Sequence, residues 1–216
     1  MAILEQPESP AGESFHYYEP AKGHGLAHDP FKAIVAPRPI GWISSRDPEG
    51  RLNLAPYSFF NAFCDKPPIV AFGSAGRKDS LRNIEATGEF VANLATRPLA
   101  EAMNASSATV AADIDEFTLS GLTPAPCRQV KAPRVAESPA ALECKLLQVI
   151  QLQDLEGRAV QNWLVLGQVV GVHLAKAFLK DGLFDTGAAE PIMRAGYLAD
   201  YVAVTPASMF KMIRPK

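Results

Sequence analysis

Short apolar runs, separated by turn-forming residues, dominate the chain and are typical of β-strands rather than long helices. The pattern predicts strands over 40–45, 52–55, 69–73, 90–94, 142–152, 162–174 and 201–204. It predicts short helices over 30–35, 79–88 and 99–106, the second of them beginning with Asp79 or Ser80 and ending at Gly88. Because most strands follow one another without an intervening helix, we expect an antiparallel, mainly β barrel or sandwich with a few short helices.

The domain organisation follows from the same reading. Residues 1–27 are polar and contain a Gly-His-Gly step, so we expect an N-terminal arm. Residues 28–216 show no internal repeat or linker and are expected to form a single domain. The 18 prolines are spread from Pro7 to Pro215, which argues against a long-helix bundle and for stiff corners between short elements.

Charge and cysteine content narrow the function classes. The formal net charge of −2 argues against a general nucleic-acid or membrane-surface binder. The first residues lack the basic and apolar regions of a signal peptide, and no apolar run reaches the ~18 residues of a membrane span. The three cysteines show no CxxC spacing, so we expect reduced thiols, no metal site and a cytoplasmic protein.

The usual catalytic signatures are missing from the chain: there is no G-x-S-x-G, H-E-x-x-H, Walker A or G-x-G-x-x-G motif. The four histidines show no metal-ligand spacing. His173 ends an apolar strand, where a hydrogen-bonded histidine at a strand end is the favoured interpretation. A role for His173 in hydride chemistry is the weaker alternative.

A loop between a predicted strand and a predicted helix carries the first candidate chemistry. Residues 73–80 read GSAGRKDS, in which small residues allow close backbone approach and the helix start offers unpaired N–H groups. Arg77, Lys78 and the Ser80 hydroxyl add the charge and the donor that a phosphate needs. A plain turn before a capped helix explains the same residues equally well.

The second candidate is a polar and aromatic surface on two paired strands and the segment after them, over residues 42–45 and 53–63. Hydroxyl and amide groups alternating with aromatic rings suit a flat heteroaromatic ligand. We interpret Ser44, Ser45, Ser58 and Asn61 as ligand contacts, and Tyr57 and Phe63 as core. An amphipathic hairpin is the alternative. Arg38, between two prolines, is either a phosphate ligand or a surface charge.

Several linked motifs in order resemble the flavin reductase-like, FMN-binding split-barrel family. They are FKAIVAPRPIGWISS at 31–45, NLAPYSFFN at 53–61, PPIVAF at 67–72, RKDSLRNI at 77–84 and TGEFVANL at 87–94. The resemblance covers roughly residues 28–205. Within the family, the chain is most similar to the branch that includes reductase components of nitrilotriacetate-type two-component monooxygenases.

The resemblance implies an antiparallel, Greek-key-like split β-barrel that forms a homodimer with FMN at the subunit interface. It implies an NAD(P)H:flavin oxidoreductase, with a flavin-dependent monooxygenase as the expected user of the reduced flavin; the alternatives are a non-enzymatic FMN electron carrier, or a related barrel binding haem or pyridoxal phosphate. The flavin carries the hydride chemistry, so no catalytic residue is required. The cofactor-binding residues carried over are Arg38, Trp42, Ile43, Ser44, Ser45, Ala55, Ser58, Phe59, Phe60, Asn61, Arg77, Lys78, Asp79 and Ser80.

Overall fold

The computed structural model describes residues 15–111 and 114–215, in which runs of successive strands are interrupted by short helices. The strands are β1 Arg38–Pro39, β2 Gly41–Arg46, β3 Leu52–Tyr57, β4 Phe60–Asp65, β5 Pro68–Ala75, β6 Glu89–Leu94, β7 Pro124–Ala125, β8 Arg134–Val135, β9 Ala140–Gln153, β10 Ala159–Leu174, β11 Leu179–Lys180, β12 Leu183–Phe184, β13 Ile192–Arg194 and β14 Tyr201–Ala203. The helices are α1 Phe31–Ile34, α2 Asp79–Thr87, α3 Ala100–Ala105, α4 Glu116–Leu119 and α5 Thr186–Ala189, with 3-10 turns at Pro20–Lys22, Arg97–Leu99, Lys176–Phe178 and Pro206–Ser208.

Seven strands form one antiparallel sheet in the order β3-β2-β6-β9-β10-β5-β4. Its two outermost strands, β3 and β4, are consecutive in the chain and separated only by Ser58 and Phe59. The sheet must therefore curl until its edges meet, which makes it a barrel. The Tyr57 ring on β3 lies 4.6 Å from the Phe72 ring on β5, across the closing edge.

Local chemistry fixes the hairpins of this barrel. The Asp47 carboxylate accepts a hydrogen bond from the Arg51 N–H (2.8 Å), and Gly50 takes φ +94° in the turn between β2 and β3. The Asp154 carboxylate accepts the Arg158 N–H (2.9 Å) in the turn between β9 and β10. Side-chain oxygens that accept from the backbone two to four residues later are typical of such turns.

The strand register divides the buried side chains between two faces. Directly paired residues share a face, so Ile43, Ala92 and Ala55 point into the barrel, where the larger core contains Phe72 and Phe90. Their neighbours along the strands point outward. A second core lies on that outer face, under α3 and α4, and contains Trp42, Leu54, Met103 and Phe117.

Residues 127–135 cross the outer face as a strap that two buried carboxylates hold in place. Glu143, only 1% exposed, accepts the N–H groups of Arg128, Gln129 and Val130. Glu89 accepts hydrogen bonds from the N–H groups of residues 131 and 132. It also forms an ion pair with the ammonium group of Lys145 at 2.7 Å. The strap is thus fastened through its backbone rather than through its own side chains.

The mainly β fold and the antiparallel arrangement are confirmed. Every predicted strand is present, and β4 is an additional strand within the segment interpreted from sequence only as aromatic and polar. The predicted helix over 30–35 is a single turn, α1. The division at residue 28 stays a prediction, and residues 1–14 of the expected arm lie outside the described residues. In the described ranges, no helix is both long and apolar enough to cross a membrane.

Candidate functional site

The corner between β3 and β4 brings the predicted ring-contacting residues to the seam of the barrel. Phe59 is 46% exposed and Asn61 is exposed, whereas Ser58 and Phe60 are half-buried. The Phe59 carbonyl accepts the Gly73 N–H at 2.8 Å, which ties the corner to β5. A Cβ at Gly41 would lie 2.6 Å from the Phe60 ring, so only glycine lets that ring pack here. The corner is therefore a fixed, partly open surface.

Arg38 lies beside this corner. Its guanidinium is over the Phe59 ring, 5.7 Å from the centroid, and it donates to the Lys32 and Val35 carbonyls of the α1 turn. The side chain is 6% exposed, its Nε has no hydrogen-bond partner, and no described carboxylate forms an ion pair with it. Burial and the nearby Arg194 lower the pKa of Arg38.

The loop before α2 forms a second group of predicted site residues. Lys78 is the N-cap residue of α2. Its ammonium group cannot accept a hydrogen bond, so no described side chain caps the first N–H groups of this helix. Lys78 is exposed and forms no ion pair within the described part of the chain, whereas Arg77 pairs with Glu85. Gly76 has φ +88° and open space where a Cβ would stand. The loop thus presents free backbone N–H groups and one free ammonium group.

Asp79, the remaining member of this loop, points its carboxylate at Arg82, one turn further along α2. It therefore neutralises a neighbouring guanidinium instead of facing the ammonium group of the loop. An acidic residue in the first turn also stabilises the helix, because its negative charge interacts favourably with the helix dipole.

A buried hydrogen-bonded chain lies below the α2 N-terminus, on the inner face. The Asn53 amide donates to the Ser80 hydroxyl at 2.8 Å and to the Ser45 hydroxyl at 3.4 Å, and Asn83 donates to Ser45 at 3.3 Å. The Ser80 hydroxyl is 1% exposed, so it faces the barrel rather than solvent. The Tyr57 hydroxyl is buried nearby and has no hydrogen-bond partner among the described residues, and burial raises its pKa.

Trp42 and Ser44 do not join these groups, because they lie on the outer face. The Trp42 indole is fully buried and donates to the Ser106 hydroxyl at 2.9 Å. Ser44 is fully buried, donates to the Pro133 carbonyl at 2.5 Å and accepts from the Asn93 amide at 3.0 Å. The interpretation of Ser44 as a ligand contact is not supported, since its hydroxyl donates to the strap and accepts from Asn93, which in turn accepts the Val135 N–H of the strap. Ile43 and Ala55 line the inner core next to the buried chain.

His173 lies on the outer face as well. It pairs with Ala141 in the β9–β10 register, and its Nε2 contacts a Glu143 oxygen at 2.6 Å. The Cys127 thiol lies within 4.8 Å of both side chains, and burial raises the pKa of that thiol to about 11. Because Glu143 already accepts three backbone N–H groups, this cluster is a fastening for the strap. The sheet separates it from the α2 loop.

Sequence reasoning missed several polar groups near the site. Asn53 and Asn83 organise the buried chain, although nothing in the sequence distinguishes them from amides on the surface. The Glu116 carboxylate accepts the Leu54 N–H on the outer edge of β3 (3.1 Å), and burial raises its pKa. No local sequence signal links residues 62 positions apart, so this contact is readable only from the fold.

Comparison with known proteins adds independent information. A family profile described as "Flavin reductase like domain" matches residues 35–192. The structure is similar to nitrilotriacetate monooxygenase component B from Bacillus cereus, with 28% identity, a TM-score of 0.82, and coverage of 93% of this chain and 100% of that one. It is also similar to the 2-nitrobenzoate 2-nitroreductase of Pseudomonas fluorescens, with 27% identity, a TM-score of 0.75, and coverage of 86% and 88%. An uncharacterized protein of Deinococcus radiodurans is 38% identical over 181 residues, which are 78% of this chain and 77% of that protein.

Proposed function

This chain belongs to the flavin reductase-like family, and on that premise we propose that it binds FMN and reduces it with NAD(P)H. One observation carries the proposal: the uncapped N-terminus of α2, with its free ammonium group on Lys78, follows the C-terminal end of β5, and the aromatic corner lies beside Gly73 of the same strand. Gly73 and Gly76 are three residue steps apart, which is about 10 Å at the usual rise of a strand. An elongated ligand with a phosphate at one end and a flat ring at the other fits this arrangement.

The phosphate end of the proposal rests on charge and on unpaired donors. A helix N-terminus without a side-chain cap presents N–H groups to an anion, and α2 is long enough for its dipole to contribute. Lys78 adds a charge that no described carboxylate neutralises. We propose that the backbone N–H of Ser80, rather than its buried hydroxyl, contributes to phosphate binding. Arg77 would have to leave Glu85 to take part.

The ring end rests on the corner at Ser58 to Asn61. The exposed Phe59 ring offers an apolar face, and the Ser58 hydroxyl and Asn61 amide offer edge hydrogen bonds. Arg38, stacked on Phe59, adds positive charge close to this surface. When bound, a flavin supplies the hydride-accepting chemistry itself, so these residues need only bind it, orient it and set its electrostatic surroundings.

We propose further that two copies associate and that a flavin-dependent monooxygenase uses the reduced flavin. The β9–β10 hairpin supports a second copy, because six of its apolar side chains are 36–58% exposed: Leu147, Ile150, Leu152, Val170, Val172 and Leu174. Apolar side chains exposed in this number on one hairpin favour an interface with a second protein surface. Light scattering after gel filtration measures the mass in solution: twice that of the chain supports the dimer, and the mass of one chain contradicts it. The monooxygenase partner rests on the likeness to a component of nitrilotriacetate monooxygenase.

Replacing Lys78 tests the phosphate assignment. We expect Lys78→Ala to weaken FMN about ten- to a hundredfold, because a charge-assisted contact contributes about 1.5–3 kcal/mol. Riboflavin, which has no phosphate, is expected to bind wild type and variant alike. Titration of flavin fluorescence gives both dissociation constants. Lys180→Ala, which removes an exposed lysine on β11, is the matched control and should leave both unchanged.

Two outcomes contradict the proposal. Equal weakening of FMN and riboflavin would place Lys78 away from the phosphate. Protein that binds no FMN, or that oxidises no NAD(P)H when FMN is added, would exclude a flavin reductase. Protein that stays yellow through gel filtration yet oxidises no NAD(P)H favours the alternative, an FMN electron carrier.

A further inference from the structure

A second concave site, which shares no lining residue with the α2 loop or with the corner at 58–61, lies between α3 with its preceding turn and the β13–β14 pair. The cleft has a volume of about 560 Å³, within the range of about 300–1,000 Å³ that is typical of small-molecule sites. Its apolar wall includes Met103, Ile192 and Val202.

Two arginines give this cleft its charge. Arg194 is held rigidly: it donates to the Tyr201 hydroxyl at 3.1 Å and to the Leu198 carbonyl, and it lies 4.8 Å from the centre of the Tyr201 ring. Arg97 is exposed, and its side chain makes no hydrogen bond to any described residue. Glu101 is the one lining carboxylate, and it forms no ion pair with a described cation.

A third cation stands behind the cleft. Arg38 pairs with Arg194 in the β1–β13 register, so their side chains lie on neighbouring strands. Arg38 is 94% buried, its Nε lacks a partner, and it contacts carbonyl oxygens and an aromatic ring rather than a carboxylate. Like charges in a poorly solvated setting repel, and an anion bound next to them offsets that cost.

We propose that this cleft binds an organic anion, with Arg97 and Arg194 holding its carboxylate or phosphate and the apolar wall packing against its body. A rigid guanidinium presents paired N–H donors, and these suit two oxygens of a carboxylate or a phosphate. The chemistry fits two sources, the phosphates of a nicotinamide dinucleotide and the carboxylate of an aromatic acid. The site does not depend on the proposed flavin reductase activity.

Calorimetric titration of the purified full chain tests the site with three probes: inorganic pyrophosphate, NADP⁺ and benzoate. We expect saturable 1:1 binding of at least one probe, weakened about ten- to a hundredfold in Arg194→Gln and in Arg97→Gln. Arg128→Gln, which removes an exposed arginine on the strap, should change binding less than twofold. Arg97→Gln guards against misfolding, because residue 97 is held by its backbone: its N–H donates to the Glu190 carbonyl and its carbonyl accepts the Ala100 N–H.

The probes and one further variant separate the possible results. Tightest binding of NADP⁺ identifies a dinucleotide as the ligand, and tightest binding of benzoate identifies an aromatic acid. If binding is lost in Lys78→Ala but retained in Arg97→Gln, the probe binds at the α2 loop. That result overturns the proposal. The absence of binding by all three probes at millimolar concentration also overturns it, whatever the flavin titrations show.

Discussion

Replacing Glu143 by glutamine probes how the strap is fastened. The carboxylate is 1% exposed and accepts backbone N–H groups from Arg128 (3.0 Å), Gln129 (2.5 Å) and Val130 (3.0 Å), besides the His173 contact. A glutamine keeps the shape and one oxygen. Its amide hydrogens, however, face donors rather than acceptors.

The cost follows from these contacts. Oε2 of Glu143 alone accepts from all three N–H groups, so a glutamine oxygen in its place keeps these contacts without the charge, while the NH₂ group replaces Oε1 beside the Arg128 N–H. A hydrogen bond to a charged group contributes about 1.5–3 kcal/mol and a neutral one about 0.5–1.5 kcal/mol, so weakening three of them gives a loss of about 2–5 kcal/mol at pH 7. That is a large share of the roughly 5–15 kcal/mol by which a domain is stable.

The loss should depend on pH. Burial alone raises the pKa of Glu143, but the N–H donors of Arg128 and Gln129, with His173, hold that pKa below its ordinary value. Stability from this carboxylate is therefore fully present above the unfolded pKa of about 4.3 and is lost as the pH falls through the folded pKa. The wild type and Glu143→Gln should thus converge in free energy of unfolding as the pH falls below about 4.

Urea unfolding, followed by tryptophan fluorescence at one protein concentration, measures this because Trp42 and Trp163 are both buried. Glu156→Gln, at an exposed turn, is the control and should change the free energy of unfolding by less than about 0.5 kcal/mol. A loss below about 1 kcal/mol at pH 7, or an equal loss at pH 7 and pH 4, would refute the reasoning.

Two further predictions concern the sheet. In Gly167→Ala, the new Cβ would lie 2.5 Å from the Phe90 ring, so we expect a loss of about 1–3 kcal/mol and a Tm lower by roughly 2–12 °C in calorimetry; an unchanged Tm would contradict the packing. In His173→Ala, we expect a loss of about 1–2 kcal/mol from the Glu143 contact but unchanged FMN affinity, because the sheet separates this residue from the α2 loop. A tenfold loss of FMN affinity in this variant would instead indicate that His173 contributes to the flavin site.

The sequence predicts the architecture well, because periodicity and turn chemistry act locally. The turns at Asp47 and at Asp154 form with the residues expected of them, and the long strands follow from their apolar runs. β4 escapes such reasoning because it is exposed over most of its length, so no alternation marks it. It becomes a strand through pairing with β5.

The candidate site is only partly readable from the sequence. Ser44 and Ser45 are adjacent and chemically identical, yet a strand sends them to opposite faces, one to the strap and one to Asn53. Which face meets a ligand depends on how the sheet curls. The cleft cations at residues 97 and 194 are about a hundred positions apart, so only the fold brings them together.

The two-residue step from β3 to β4 is at once the closing seam of the barrel and the proposed contact for the flavin ring. A molecule bound there would contact both edge strands and hold them together. Occupancy would then slow the opening of the barrel edges, and amide hydrogen exchange along β3 and β4 would fall as the site fills. The affinity for the ligand and the stability of the closed barrel would therefore increase or decrease together.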